Sequence, residues 1–137
     1  NIYYFSYNFS ATTRDKRSGY HTPNKDVFLL IRSRAKLLGS KIVFKKDGNE
    51  TDSTWWENDG IVNSRSMRGP TTGQNGADPI IEYLPSEPLM QGQWYTFEPI
   101  KLDHYQSVGH MLSNEKREML DSIYINHAQL LWSLPKY

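Results

Sequence analysis

Four histidines, at positions 21, 104, 110 and 127, are the side chains of this chain best suited to move a proton near neutral pH. Cysteine is absent, which removes a thiolate nucleophile, a thiolate metal site and any disulfide. His21 lies in a polar stretch and reads as a solvated side chain, while His110 flanks Gly109 without an obvious partner. His127 falls on or beside an apolar helical stripe and reads as a packed, hydrogen-bonded residue. His104 differs from these. It follows a strand-like run within Leu102-Asp103-His104-Tyr105 and precedes the last helix. In open α/β sheets that place, past the carboxyl end of a strand, is where chemistry collects.

A catalytic imidazole needs a carboxylate on Nδ1 to fix its tautomer and to stabilise the charged ring. Asp103 is adjacent, but neighbours in extended backbone point to opposite sides, so it is badly placed to orient His104. The better orienter is Asp59, in the run Trp55-Trp56-Glu57-Asn58-Asp59-Gly60-Ile61-Val62-Asn63-Ser64. A carboxylate set between bulky aromatics and a short apolar strand must be hydrogen-bonded or paired. Gly60 lets the backbone turn sharply behind it and aims the side chain. Two alternatives stay open: Asn58 and Asp59 as backbone caps of a turn, and Asp59 and His104 as unrelated surface groups.

Elements able to position such residues are legible along the chain. Ile2-Tyr3-Tyr4-Phe5-Ser6-Tyr7 is short, aromatic and nearly continuous, as a central or parallel strand covered on both faces would be. Residues 8–25 form a long polar loop, of the kind that is often functional or disordered. Val27 to Leu38 predicts a short helix, with Asp26 as its start and Gly39 as its end. An extended segment follows at Ile42-Val43-Phe44, then a polar, turn-rich stretch over 45–54. That stretch is not an EF-hand loop, since Asp52 and Asn58 stand where glycine and glutamate are required. Met67 to Asp78 is a glycine- and proline-containing surface loop. Ile80-Ile81-Glu82-Tyr83 and Gln93 to Glu98 read as strands, and Ser113 caps a helix that Pro135 ends. This alternation predicts an α/β fold.

At 137 residues the chain is one domain or part of one. Sixteen basic and fifteen acidic residues leave a net charge of +1, too little for a nucleic-acid or anionic-membrane footprint. No apolar run nears the roughly 18 residues of a membrane span. The chain opens at Asn1 inside a strand-like run, which leads to the expectation of a fragment or processed product. Asn8-Phe9-Ser10 and Asn49-Glu50-Thr51 match the glycosylation acceptor pattern, which is common by chance.

Taken together, the YYFSY strand, Leu38-Gly39-Ser40, the ENDGIVN block at 57–63, Met67-Arg68-Gly69-Pro70, Gly92-Gln93-Trp94 and Asp103-His104 stand in a familiar order. The chain resembles the C-terminal part of the bacterial triacylglycerol lipases of the Staphylococcus and Geobacillus type, secreted enzymes with an α/β-hydrolase fold. That resemblance implies that Asp59 and His104 are two members of a Ser-Asp-His triad, in an order in which the serine lies upstream. No glycine here is followed two positions later by serine, so the G-x-S-x-G nucleophile elbow is not in this chain. The expectation is a single, partial α/β-hydrolase domain over residues 1–137, completed by a segment or separate chain that carries the nucleophile. It would act on lipid esters and be inactive alone. The alternative is a non-catalytic binding or structural module derived from the same fold. The family's calcium ligands correspond to Gln106 and Met111, and a thioether is a poor ligand for so hard a cation, so no cofactor is expected. The family's zinc site lies upstream of this chain.

Overall fold

A computed structural model describes residues 2–43, 48, 50–70 and 80–135. Phe44 of the expected extended segment, Asn49 with its acceptor pattern, and positions 71–78 of the glycine-rich loop lie outside the described residues, as do 45–47 of the turn-rich stretch. The chain forms two compact units, Asn1–His104 and Tyr105–Tyr137.

The first unit is built on a parallel sheet of three short strands. Strand β1 (Tyr4–Ser6) pairs with β5 (Trp94–Thr96), and β5 pairs with β4 (Ile80–Glu82). Aromatic pairs cross the register: Tyr4 stacks on Trp94 at 5.1 Å, and Tyr7 on Phe97 at 4.2 Å. Phe5, Tyr83, Tyr95 and Phe97 form a further ring cluster. Such pairs add about 0.5–1.5 kcal/mol each beyond their burial. The central strand among those described is therefore β5. β1 is a parallel strand, one of the two alternatives expected, but it stands at the end of the order among the described strands, with Ile2 and Tyr4 exposed rather than covered on both faces.

Residues 8–25 are also not the loop their polarity predicts. They form a hairpin of β2 (Thr12–Arg14) and β3 (His21–Pro23), paired antiparallel. Its turn closes on Asp15, whose Oδ1 accepts from the Arg17 and Ser18 N–H groups, at 3.0 and 2.7 Å. Helix α1 (Leu29–Leu38) starts two residues later than expected, and Asp26 does not cap it. It ends at Gly39, where the His21 carbonyl oxygen lies 2.0 Å from where a Cβ would stand. That close approach admits the His21 N–H bond to the Gly39 carbonyl, at 2.8 Å, which joins β3 to α1. Ala11, Val27 and Ile31 form the apolar core here, with Phe28 and Ile61 packed against it.

Beyond these lie a 3-10 turn at Ser53–Trp55 and a single helical turn, α2 (Ser64–Met67). The second unit holds a 3-10 turn at Gln106–Val108 and the long helix α3 (Asn114–Ser133). As expected, Ser113 caps α3, its side chain accepting from the Lys116 N–H at 3.4 Å. No described helix is long and apolar enough to cross a membrane.

Candidate active site

After β1 the chain runs on through residues 8–12, and both candidate loops hang from this run. On one side Ser10 N–H and Asn8 carbonyl bond Ile100, at 2.9 Å each, which leads the chain to Leu102, Asp103 and His104. On the other, Ala11 N–H bonds the Asn58 carbonyl at 2.8 Å, and Thr12 Oγ1 accepts from the Asn58 N–H at 3.3 Å. Apart from the half-buried Phe9 the run is buried, yet polar at Asn8, Ser10 and Thr12. Buried polar groups must be bonded, and here the bonds join the two loops to a common support. Burial also rules out Asn8 as a glycosylation acceptor: its Nδ2 donates to the Phe97 carbonyl at 2.7 Å.

The acid loop turns tightly at Gly60, with φ +98°. Asp59 is wholly buried. Its Oδ1 accepts from the Ile61 and Val62 N–H groups at 2.8 and 2.7 Å, leaving Oδ2 to face outward from the turn. Oδ2 lies 2.8 Å from His104 Nδ1, and the His104 N–H donates to the Asp59 carbonyl at 2.9 Å. The structure thus brings together Asp59 and His104, 45 residues apart in sequence. Three partners satisfy a carboxylate that burial would otherwise penalise severely. The His104 side chain is 43% exposed, so a reacting group can approach the ring while its acid partner stays dry.

Asp103 turns the other way, as alternation along an extended backbone requires. Its Oδ2 accepts from the Phe28 N–H at 2.8 Å, just ahead of α1, and it is buried. Near the acid loop the Arg65 guanidinium lies 5.1 Å over Trp55, and Tyr20 meets Trp56 edge-on at 5.1 Å. Behind Gly60 sits Ile31, 2.7 Å from where a Cβ would stand.

The other histidines fall elsewhere. His21 belongs to β3 rather than to a solvated loop, with Nδ1 3.2 Å from Thr12 Oγ1. Burial is the main force holding its pKa below the usual 6.5, assisted by Arg14 and Lys101 and opposed by Glu57. His127, on α3, is likewise lowered by burial. Asn58 caps the turn as one reading of the sequence allowed, its oxygen accepting from the Gly60 N–H at 2.9 Å; what sequence reasoning missed is that it is fully buried and bonds α1 through its amide. The only signal was an amide beside the candidate acid. A cavity of about 440 Å³, lined by Asn8, Glu57, Ser64, Arg65 and Arg68 among others, includes neither Asp59 nor His104 in its walls.

No family model matches the chain. Solved structures do. Staphylococcus hyicus lipase superposes with a TM-score of 0.76 at 23% identity, over 96% of this chain and 31% of that one. EstA from Clostridium botulinum gives 0.70 at 29% identity, over 89% and 28%. Lipase 1 from Pelosinus fermentans gives 0.68 at 25% identity, over 98% and 34%. This chain spans about a third of the length of each. Its mixed architecture, with a parallel sheet and a C-terminal helix, is thus an α/β-hydrolase-like fold, and over most of its length the chain resembles part of a bacterial lipase.

Proposed function

We propose that this chain supplies the acid and the base of a Ser-Asp-His triad, in a protein that hydrolyses carboxylic esters of the triacylglycerol type. The observation that carries this reading is the 2.8 Å contact between the buried Asp59 carboxylate and Nδ1 of the part-exposed His104. With Asp59 on Nδ1, the imidazole presents Nε2 as the base. A serine outside these 137 residues gives its proton to His104 Nε2 as its Oγ attacks the acyl carbonyl. Asp59 stabilises the imidazolium, which then protonates the departing alcohol. Water, activated by the same ring, releases the acid. The domain is then a partial α/β-hydrolase domain, completed by a nucleophile-bearing segment. Secretion accords with the lipase likeness.

Calcium does not fit the positions implied for it. The Gln106 amide oxygen accepts from the Lys116 ammonium at 2.8 Å, and Met111 is an exposed thioether. An amide oxygen already held by an ammonium is a weak ligand for calcium, and a thioether is a poor one for so hard a cation. No step of this mechanism passes through a metal.

The test is to join or mix the chain with an upstream segment carrying G-x-S-x-G and to follow a chromogenic ester. Hydrolysis that disappears with His104→Ala supports the triad, and hydrolysis indifferent to it refutes the triad. A second reading is a non-catalytic binding or structural module of the same fold. Coding sequence upstream of Asn1 without that elbow would favour the module.

A further inference from the structure

Three contacts from the acid and base loops fall along α1, at its cap Phe28 and at Ile31 and Ala35. At its start the Phe28 N–H donates to Asp103 Oδ2, at 2.8 Å. In its middle Ile31 lies directly under Gly60. Near its end the Ala35 carbonyl accepts from Asn58 Nδ2, at 3.1 Å. The residues holding the two ends, Asp103 and Asn58, are the immediate predecessors of His104 and Asp59, and both are buried.

We propose that α1 is a gauge that sets the separation of acid and base, and that Asn58 and Asp103 are the positioning residues locking each loop to it. This rests on Asp59 and His104 being the working pair. From Leu29, next to the cap Phe28, to Ala35 the helix gives a rigid span of about 9 Å. Asn58 has no spare hydrogen-bonding capacity on its amide group's donors. One N–H goes to Ala35 and the other to the Trp56 carbonyl, at 2.9 Å, while its oxygen accepts from the Gly60 N–H at 2.9 Å. An aspartate of the same shape keeps the last bond and sets a charged acceptor against two carbonyls. Asp103 places a negative charge at the amino end of α1, where the helix dipole favours it. Because alternate side chains of an extended segment point apart, gripping α1 with Asp103 turns His104 toward Asp59. Misplacement of about 1 Å in such a pair can cost on the order of 100-fold in rate, so the grip acts on chemistry as well as on folding.

The test reads the histidine rings of the 137-residue chain by long-range ¹H–¹⁵N correlation at a pH where they are neutral, His104 being assigned from His104→Ala. In the unsubstituted chain neutral His104 holds its proton on Nδ1. Asn58→Asp loses that tautomer while helix content and a cooperative thermal transition remain. Asp103→Ala loses it too, whereas Asp103→Asn, which keeps an acceptor for Phe28, retains it. Tyr95→Phe, which removes the part-buried bond from the Met90 N–H to a side chain of β5, lowers the melting temperature and leaves the His104 ring unchanged. If Asn58→Asp does not fold, the Asp103 pair decides alone. An unsubstituted chain without the Nδ1–H tautomer, a tautomer that survives both Asn58→Asp and Asp103→Ala, or one lost equally in Tyr95→Phe overturns the proposal. Ester hydrolysis plays no part in this readout. Rings that behave as stated in a protein that never hydrolyses an ester would remove the enzymatic reading and leave the gauge intact.

Discussion

Replacing Asp59 by asparagine is the sharpest chemical perturbation of the proposed triad, because the hydrogen-bond partners dictate which way the new amide must lie. Oδ1 of Asp59 faces two donors, the N–H groups of Ile61 and Val62. Asparagine can keep those bonds only by placing its own oxygen there. Its NH₂ group then stands where Oδ2 was, 2.8 Å from His104 Nδ1, and donates to it. Nδ1 becomes an acceptor, the ring proton moves to Nε2, and the base is lost without any change of shape. The reversed amide would set two donors against two donors in a buried site, at about 1–3 kcal/mol for each bond lost. In a protein carrying the serine, turnover should fall on the order of 10⁴-fold, about 5.4 kcal/mol of transition-state stabilisation. Steady-state hydrolysis of a soluble ester measures this, with thermal unfolding confirming that the variant is folded. A loss of only a few-fold in a folded variant would refute the assignment of Asp59.

Three further outcomes follow from the same geometry. His104→Ala should abolish hydrolysis with little loss of stability, since the side chain is part-exposed; circular dichroism melts and the ester assay check both. Gly60→Ala should destabilise by roughly 2–3 kcal/mol, because φ is +98° and the new Cβ meets Ile31 Cδ1. Combined with Ile31→Val, which deletes that Cδ1, the cost measured by chemical denaturation should be less than the sum of the two. Stability should also fall as pH drops below about 6.5, since His21 and His127 have lowered folded-state pKa values and the unfolded chain takes up protons first. The loss should level off below the folded values, and His21→Gln with His127→Gln should flatten the profile.

How much of this was legible in the sequence depends on how far each determinant lies from the residue it acts on. Helix α3 was plain because its cap, Ser113, and its stop at Pro135 are local. The strands over 80–82 and 94–96 were legible from their β-branched and aromatic residues. The start of α1 was not, because the carboxylate bonded ahead of it comes from Asp103, 75 positions away. The hairpin of β2 and β3 was missed because Thr-Thr-Arg and His-Thr-Pro carry no apolar alternation. Of its strand residues only Thr12 is buried, and it is held by polar partners, which hydropathy does not register. For the site, alternation along the backbone correctly turned Asp103 away from its neighbour. For the reach of Asn58 to α1 the sequence offered no more than an amide beside the candidate acid, 23 positions from its partner Ala35.

The register of the parallel sheet has a kinetic consequence. β1 and β5 join residues about ninety positions apart, so little is gained from that pairing until most of the chain has been gathered in. The β2–β3 hairpin and α1 need only near neighbours and can form within microseconds. The loop that carries His104 is tied through Ile100 to the run that follows β1, and His104 is itself 45 positions from Asp59, so the imidazole should reach its partner among the last events of folding. A refolding experiment that follows the His104 ring alongside far-ultraviolet circular dichroism should show secondary structure arriving first and the ring signal trailing it.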